Sequence, residues 1–359
     1  MLRAFRTTSL FLLLAASWLV ALPAAAQRVE GERVRADGMY AAEIPVHTQG
    51  EGERNAGFAR GLAQVLSKLS GDAAVSSRPG VGQELRRARE YVEGYDYRQD
   101  EARSPSGAPI FRTTLVIRYD AEKVDELTAV LGLPLWPQPR PKPVLWMAID
   151  DGRGPRLVGL AQVNAARAAL ARAEERGYKL GLPAGNAAEQ ALVGAIWRGD
   201  TAAVARVSAR YSPPMQLIGK VYRDKAGWIG EWIFVDGGKI LHRWSVSKPD
   251  ARQVMAAGAD GAADALAKRY AKRSPTGTPG TYPVRFVGLR SAEDYMRLSG
   301  FLQKLAVVRR ITPVRATPEG VELQLELVSG LAGFRRAVGE QAPIEPVSAE
   351  GEAPVYRLR

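Results

Sequence analysis

Two proline-rich stretches cut this sequence into three pieces, none long enough for more than one small domain. The first, Pro134-Leu-Trp-Pro-Gln-Pro-Arg-Pro-Lys-Pro143, must run extended, because proline fixes φ and offers no backbone donor. The second, Ser274 to Pro283, mixes Pro, Gly, Ser and Thr and reads as a looser connection. Neither can lie inside a helix. The expected organisation is therefore an N-terminal domain over 27–133, a linker over 134–143, a middle domain over 144–273, a second linker over 274–283 and a C-terminal domain over 284–359.

Residues 1–26 stand apart. Arg3 and Arg6 precede an apolar run of 13 residues, Leu10 to Leu22, and Pro23-Ala-Ala-Ala26 places small residues at the −3 and −1 positions of a cleavage site. This is the pattern of a secretory signal peptide cut between Ala26 and Gln27. The run is short of the roughly 20 apolar residues that a membrane helix needs, so no transmembrane span is expected in the mature chain. The expected compartment is the periplasm. With no cysteine in its 359 residues, the exported chain can hold neither disulfide nor cysteine-linked lipid, and must stand on its hydrophobic cores. Two histidines and no cysteine also leave zinc, haem and iron–sulfur sites without their usual ligands, and no cofactor is expected.

In the first block, Phe58, Leu62, Val65, Leu66 and Leu69 recur at helical spacing, and Gly71 supplies the stop. Phe111 to Tyr119 alternate as a half-buried strand, and Asp120 caps a last helix. The order strand, helix, helix, strand, strand, helix predicts a small α+β domain. The middle block begins with an apolar strand, Val144 to Ile149. It continues through an Ala-rich helix from Gln162 to Arg176, a strand over Tyr178 to Leu182, and helices around 187–196 and 201–211. Three strands and a helix from Ala251 to Lys272 close it. Alternation followed by a meander predicts a mixed sheet with flanking helices. The last block reads β-α-β-β-α-β, the ferredoxin-like order, ending in a strand from Pro354 to Leu358. The fold class is thus mixed α/β and α+β in three small domains.

Several segments, taken in order, resemble an uncharacterised proteobacterial envelope family, domain of unknown function 2066 (DUF2066). They are Tyr40 to Val46, Gly61 to Asp72, Leu133-Pro-Leu-Trp136 with the prolines after it, Val144 to Asp150, Trp197-Arg-Gly-Asp200, Arg210-Tyr211 before Leu217 to Lys220, and Tyr295 to Val308. The resemblance implies an envelope protein and transfers no catalytic residue. The middle block is faintly similar to the α/β domains of envelope assembly proteins, such as the N-terminal domain of TolB and the CsgG group. Such a likeness bears on fold and not on function.

Motifs for chemistry are sparse. There is no nucleophile elbow and no phosphate-cradling glycine loop. Ser245 and Lys248 have S-x-x-K spacing, but on a strand rather than a helix. His47 and His242 each lack a second ligand at metal spacing. Asp150-Asp151, at the end of a buried strand, reads either as a turn or as a Mg²⁺-binding carboxylate pair. Trp228, Trp232 and Phe234 share one strand face, which is either core beneath the 251–272 helix or a platform for sugar rings.

Charge is the stronger signal. Residues 140–281 carry 22 basic and 12 acidic side chains, whereas 27–139 carry 15 and 17 and 282–359 carry 11 and 9. The mature chain's surplus therefore lies in the middle block. Arg206 and Arg210 share a helix side, and Lys220, Arg223 and Lys225 cluster at a strand end. With Trp228 and Trp232 these residues outline a surface for an envelope protein or an anionic envelope component. Export makes nucleic acid a poor partner. The expected function is a non-catalytic interaction or assembly factor, and the alternative is an enzyme with a metal at Asp150 and Asp151.

Overall fold

The computed structural model describes residues 38–103, 109–211, 214–272, 277–339, 342–348 and 353–359. The signal-peptide reading, with Ala26 and Gln27, lies outside them. The fold is mixed α/β with three sheets. The first block forms β1 (Ala41–Val46), α1 (Glu51–Ser70), α2 (Val81–Leu85), β2 (Val92–Arg103), β3 (Pro109–Tyr119) and α3 (Ala121–Val130), in an antiparallel sheet of order β1-β3-β2. The predicted stripe of α1 is its buried face, packed with Ala42, Ile44, Leu115 and Ile117 of the sheet.

The middle block contains β4 (Val144–Asp150), β5 (Arg156–Val158), α4 (Val163–Glu175), α5 (Ala187–Gln190), α6 (Val193–Arg198) and α7 (Thr201–Ser208). It continues with β6 (Met215–Asp224), β7 (Gly227–Asp236), β8 (Lys239–Lys248) and α8 (Ala251–Tyr270). The sheet order is β5-β4-β6-β7-β8, with β4 and β6 parallel and the other pairs antiparallel. β4 is buried on both faces, which explains its unbroken apolar run. Tyr178 to Leu182 is not the expected strand: only Gly181 bridges to Val144. The three-residue β5, too short to show alternation, takes the outer edge instead. The expected helix over 187–196 is broken in two at Ala191–Leu192.

The last block forms β9 (Gly280–Val287), α9 (Ala292–Lys304), β10 (Val308–Thr317), β11 (Gly320–Leu327), α10 (Gly330–Ala337), β12 (Ile344–Ser348) and β13 (Val355–Leu358), with sheet order β10-β11-β9-β13-β12. It keeps the expected β-α-β-β-α order and ends in a hairpin rather than one strand. β13 inserts between β12 and β9 and runs parallel to β9. Gly280 to Pro283, expected as linker, are already strand and pair with Leu327 to Gln324.

The 134–143 segment is no free spacer. Trp136 is 2% exposed, and its backbone N–H donates to the Leu69 carbonyl at 2.7 Å. The Arg140 guanidinium lies 3.9 Å from the Trp136 ring centroid and donates to the carbonyls of Trp136, Lys68 and Gly177. Gly71 ends α1 in the left-handed conformation (φ 73°) and sits so close to Ala267 of α8 that a Cβ would overlap it. Arg176, also 2% exposed, donates to the Gly71 carbonyl at 3.0 Å and pairs with Asp260 and Asp264 of α8 at 2.7 and 2.6 Å. The middle block is thereby fastened to the first. The C-terminal block is fastened there as well. Gln83 donates to the carbonyls of Gln303 and Lys304, Ser329 bonds the Val130 carbonyl, and Ala306 is buried in the first block's core.

Candidate functional site

The two faces of the middle sheet are covered unequally. Along β7, Trp232 and Phe234 point to the face beneath α8, and Ile233 and Val235 to the opposite one. On the first face, Trp232 is fully buried and stacks on Trp244 with centroids 6.5 Å apart. Gly258 and Gly261 of α8 lie directly over these two indoles. On the other face, α6 and α7 pack over β4 and β6. α6 stops at Arg198 because Gly199 turns left-handed (φ 69°), and Asp200 caps α7 by accepting from the Ala203 N–H at 3.0 Å. The outer strands β7 and β8 are left partly open there.

A cleft of about 340 Å³ occupies this opening. Trp197 and Arg198 from the end of α6, Lys220 from β6, Glu231 from β7, and Arg243 and Ser245 from β8 line it. Ile218 and Ile233 lie at its base. Lys220 Nζ pairs with Glu231 Oε1 at 3.1 Å and lies 6.0 Å from the Trp197 ring centroid. The Tyr222 hydroxyl donates to the same oxygen at 3.0 Å, and burial together with this bond raises the Tyr222 pKa. The one carboxylate therefore offsets the one lysine. Arg198 and Arg243 are exposed and have no carboxylate partner among the described residues. The cleft thus holds an aromatic wall, two uncompensated guanidinium groups and one hydroxyl, a set suited to an anionic ligand that also carries a ring.

The surface expected from the sequence is divided by the fold. Lys220 is in the cleft. Trp232 is core, and Trp228 is half-buried in the same cluster on the opposite face, so the aromatic row is not a binding platform. Arg223 is exposed at the end of β6 and Arg206 is exposed on α7. Arg210 is committed elsewhere. Its Nη2 reaches the fully buried carboxylate of Glu189 at 2.5 Å, which also accepts from the Tyr211 hydroxyl and the N–H groups of Gly185 and Asn186. Burial opposes the Glu189 charge, but these donors outweigh it and hold the carboxyl below its ordinary value.

Asp150 and Asp151 form a turn. Asp150 Oδ1 accepts from the N–H groups of Gly152 and Gly154 at 2.8 and 3.0 Å. Asp151 makes a two-pronged pair with Arg156 at 2.9 and 2.8 Å, which lowers its pKa to about 2. Both carboxylates thus make the bonds of a turn, through Oδ1 of Asp150 and both oxygens of Asp151. Among the described residues no three His, Asp or Glu side chains converge on a metal-sized site. His47 is exposed, and His242 stacks on Trp244 with centroids 4.9 Å apart. Ser245 and Lys248 are three apart on a strand and so point to opposite faces.

Residues 34–137 match the family model of a domain of unknown function (DUF8605). The match ends just past Trp136, the residue docked against α1. It spans the first block, under a third of the chain, and names a different domain from the DUF2066 expected above, which it overturns. The segments behind that expectation were each short and unspecific, so their order alone carried it. No curated protein and no solved structure matches the chain. Among the described residues no helix is long and apolar enough to cross a membrane.

Proposed function

We propose that the chain is an exported, non-catalytic binding factor of the bacterial envelope that holds an anionic envelope component at the middle-block cleft. The observation that carries this reading is the pairing pattern: Lys220 is matched by Glu231, whereas Arg198 and Arg243, which line the same cleft as Trp197, have no carboxylate partner among the described residues. A cleft of net positive charge raises the local concentration of anions. The surplus of basic over acidic side chains in residues 140–281 acts in the same direction. The signal-like residues 1–26 supply the compartment, where phosphorylated lipids and lipopolysaccharide are the abundant anions.

The test is co-sedimentation of the purified chain with vesicles containing lipopolysaccharide and with neutral phosphatidylcholine vesicles. Retention on the first alone, declining as salt is raised, is the expected result. Retention on neither, or on both equally, overturns the reading.

A further inference from the structure

We propose that the cleft between the end of α6 and strands β7 and β8 is a subsite for a single phosphorylated hexose. This deepens the anion-binding reading and rests on it. Arg198 and Arg243 supply planar donors matched to phosphate oxygens. A phosphate alone would not need the rest of the lining. Trp197, only partly buried, lines the cleft with an indole against which the apolar face of a sugar ring can lie, with Tyr222 tilted beside it at 5.9 Å. Glu231 is the informative group. Lys220 and Tyr222 both engage its Oε1, and its Oε2 has no partner among the described residues. The Glu231 side chain is 43% exposed, so water meets this oxygen in the free protein, and a ligand hydroxyl can take that water's place where an anionic group would be repelled. The Ser245 hydroxyl, on the neighbouring strand, adds one more donor and acceptor. Size points the same way: about 340 Å³ is at the small end of ligand sites, which span about 300–1,000 Å³.

Titration calorimetry of the purified chain with glucose 6-phosphate, glucose, inorganic phosphate and adenosine monophosphate tests this. Glucose 6-phosphate should bind at least tenfold more tightly than glucose or phosphate. Trp197→Ala should reduce its affinity to that of phosphate, and Arg243→Ser should reduce it to that of glucose. Unchanged thermal unfolding of both variants establishes that they fold. Equal affinity for phosphate and glucose 6-phosphate overturns the sugar subsite and leaves the anion-binding reading standing. Tighter binding of adenosine monophosphate assigns the aromatic wall to a base and also overturns it. Retention on lipopolysaccharide vesicles with no binding of any of the four small molecules refutes the subsite alone. Failure of both removes the reading beneath it.

Discussion

The guanidinium of Arg210 lies 2.5 Å from the carboxylate of Glu189, a side chain with no exposure to solvent. A basic residue that looks like part of a binding face is thus a structural partner. Glu189 also completes the capping box that starts α5, with Asn186 accepting from its N–H at 3.0 Å. Arg210→Glu places a second carboxylate against the first and should lower the melting temperature by several degrees. Arg206→Glu, on an exposed residue without a partner among the described residues, should leave it within about a degree. Thermal unfolding of the two single variants separates them.

Acid should expose the same site. The folded-state pKa of Glu189 is depressed, so its contribution to stability is present above the ordinary carboxyl value of 4.5 and is lost as pH falls through the lower folded value. Asp151, lowered to about 2, acts in the same direction. The melting temperature should fall from about pH 4.5 downward. Glu189→Gln should start lower at neutral pH and show a shallower acid decline. Parallel curves for the two proteins would contradict this.

Over Trp232, α8 has no room for a side chain. A Cβ at Gly258 would come within 2.5 Å of the indole, which is fully buried. Alanine gains about 1 kcal/mol of helix propensity over glycine, but overpacking costs about 1–3 kcal/mol. Gly258→Ala should therefore destabilise, and Gly258→Val more so. Denaturant unfolding with equal or greater stability for Gly258→Ala would refute this packing.

The docked Trp136 predicts cooperative unfolding. Removing a buried tryptophan costs about 3–5 kcal/mol. Because Trp136 contacts Leu69, Arg140 and Tyr178, the loss should reach both blocks at once. Trp136→Ala should lower the transition seen by all probes together. A variant in which only one of two separate transitions moves would show that the blocks are independent.

Chelation should have no effect. Asp150 Oδ1 is engaged by two turn N–H groups and Asp151 by the Arg156 guanidinium, a cation that already neutralises one of the two charges a metal would need. The melting temperature should be the same with and without EDTA. A shift of several degrees would assign a metal to this turn.

Elements with strong periodicity were legible in the sequence. The stripe Phe58, Leu62, Val65, Leu66 and Leu69 became the buried side of α1, and the apolar run of β4 became a strand covered on both faces. Short edge strands were not: β5 has three residues and β12 carries Pro346. The docking of the 134–143 segment was hidden because composition reports stiffness and not what a buried Trp136 will meet. For the cleft, only Lys220 was identified. Charge counting cannot tell Arg210, held by Glu189 from 21 positions away, from Arg243, which has no such partner among the described residues. Nor can it see that Lys220 and Trp232 fall on opposite faces, which takes the register of β6 on β7. Trp197-Arg-Gly-Asp200 stands out in the sequence as a segment, but only the left-handed turn at Gly199 places Trp197 and Arg198 beside the open strands.

The most direct test compares two sets of arginines on the same vesicles. Arg198→Ser with Arg243→Ser removes the unmatched cleft charges, and Arg206→Ser with Arg223→Ser removes an equal number of exposed charges outside the cleft. Both variants should unfold at the wild-type temperature. If the cleft is the binding site, the first should lose retention on lipopolysaccharide vesicles at least tenfold and the second less than twofold. Equal losses would make the attraction a property of net charge spread over the middle block, and would contradict the account.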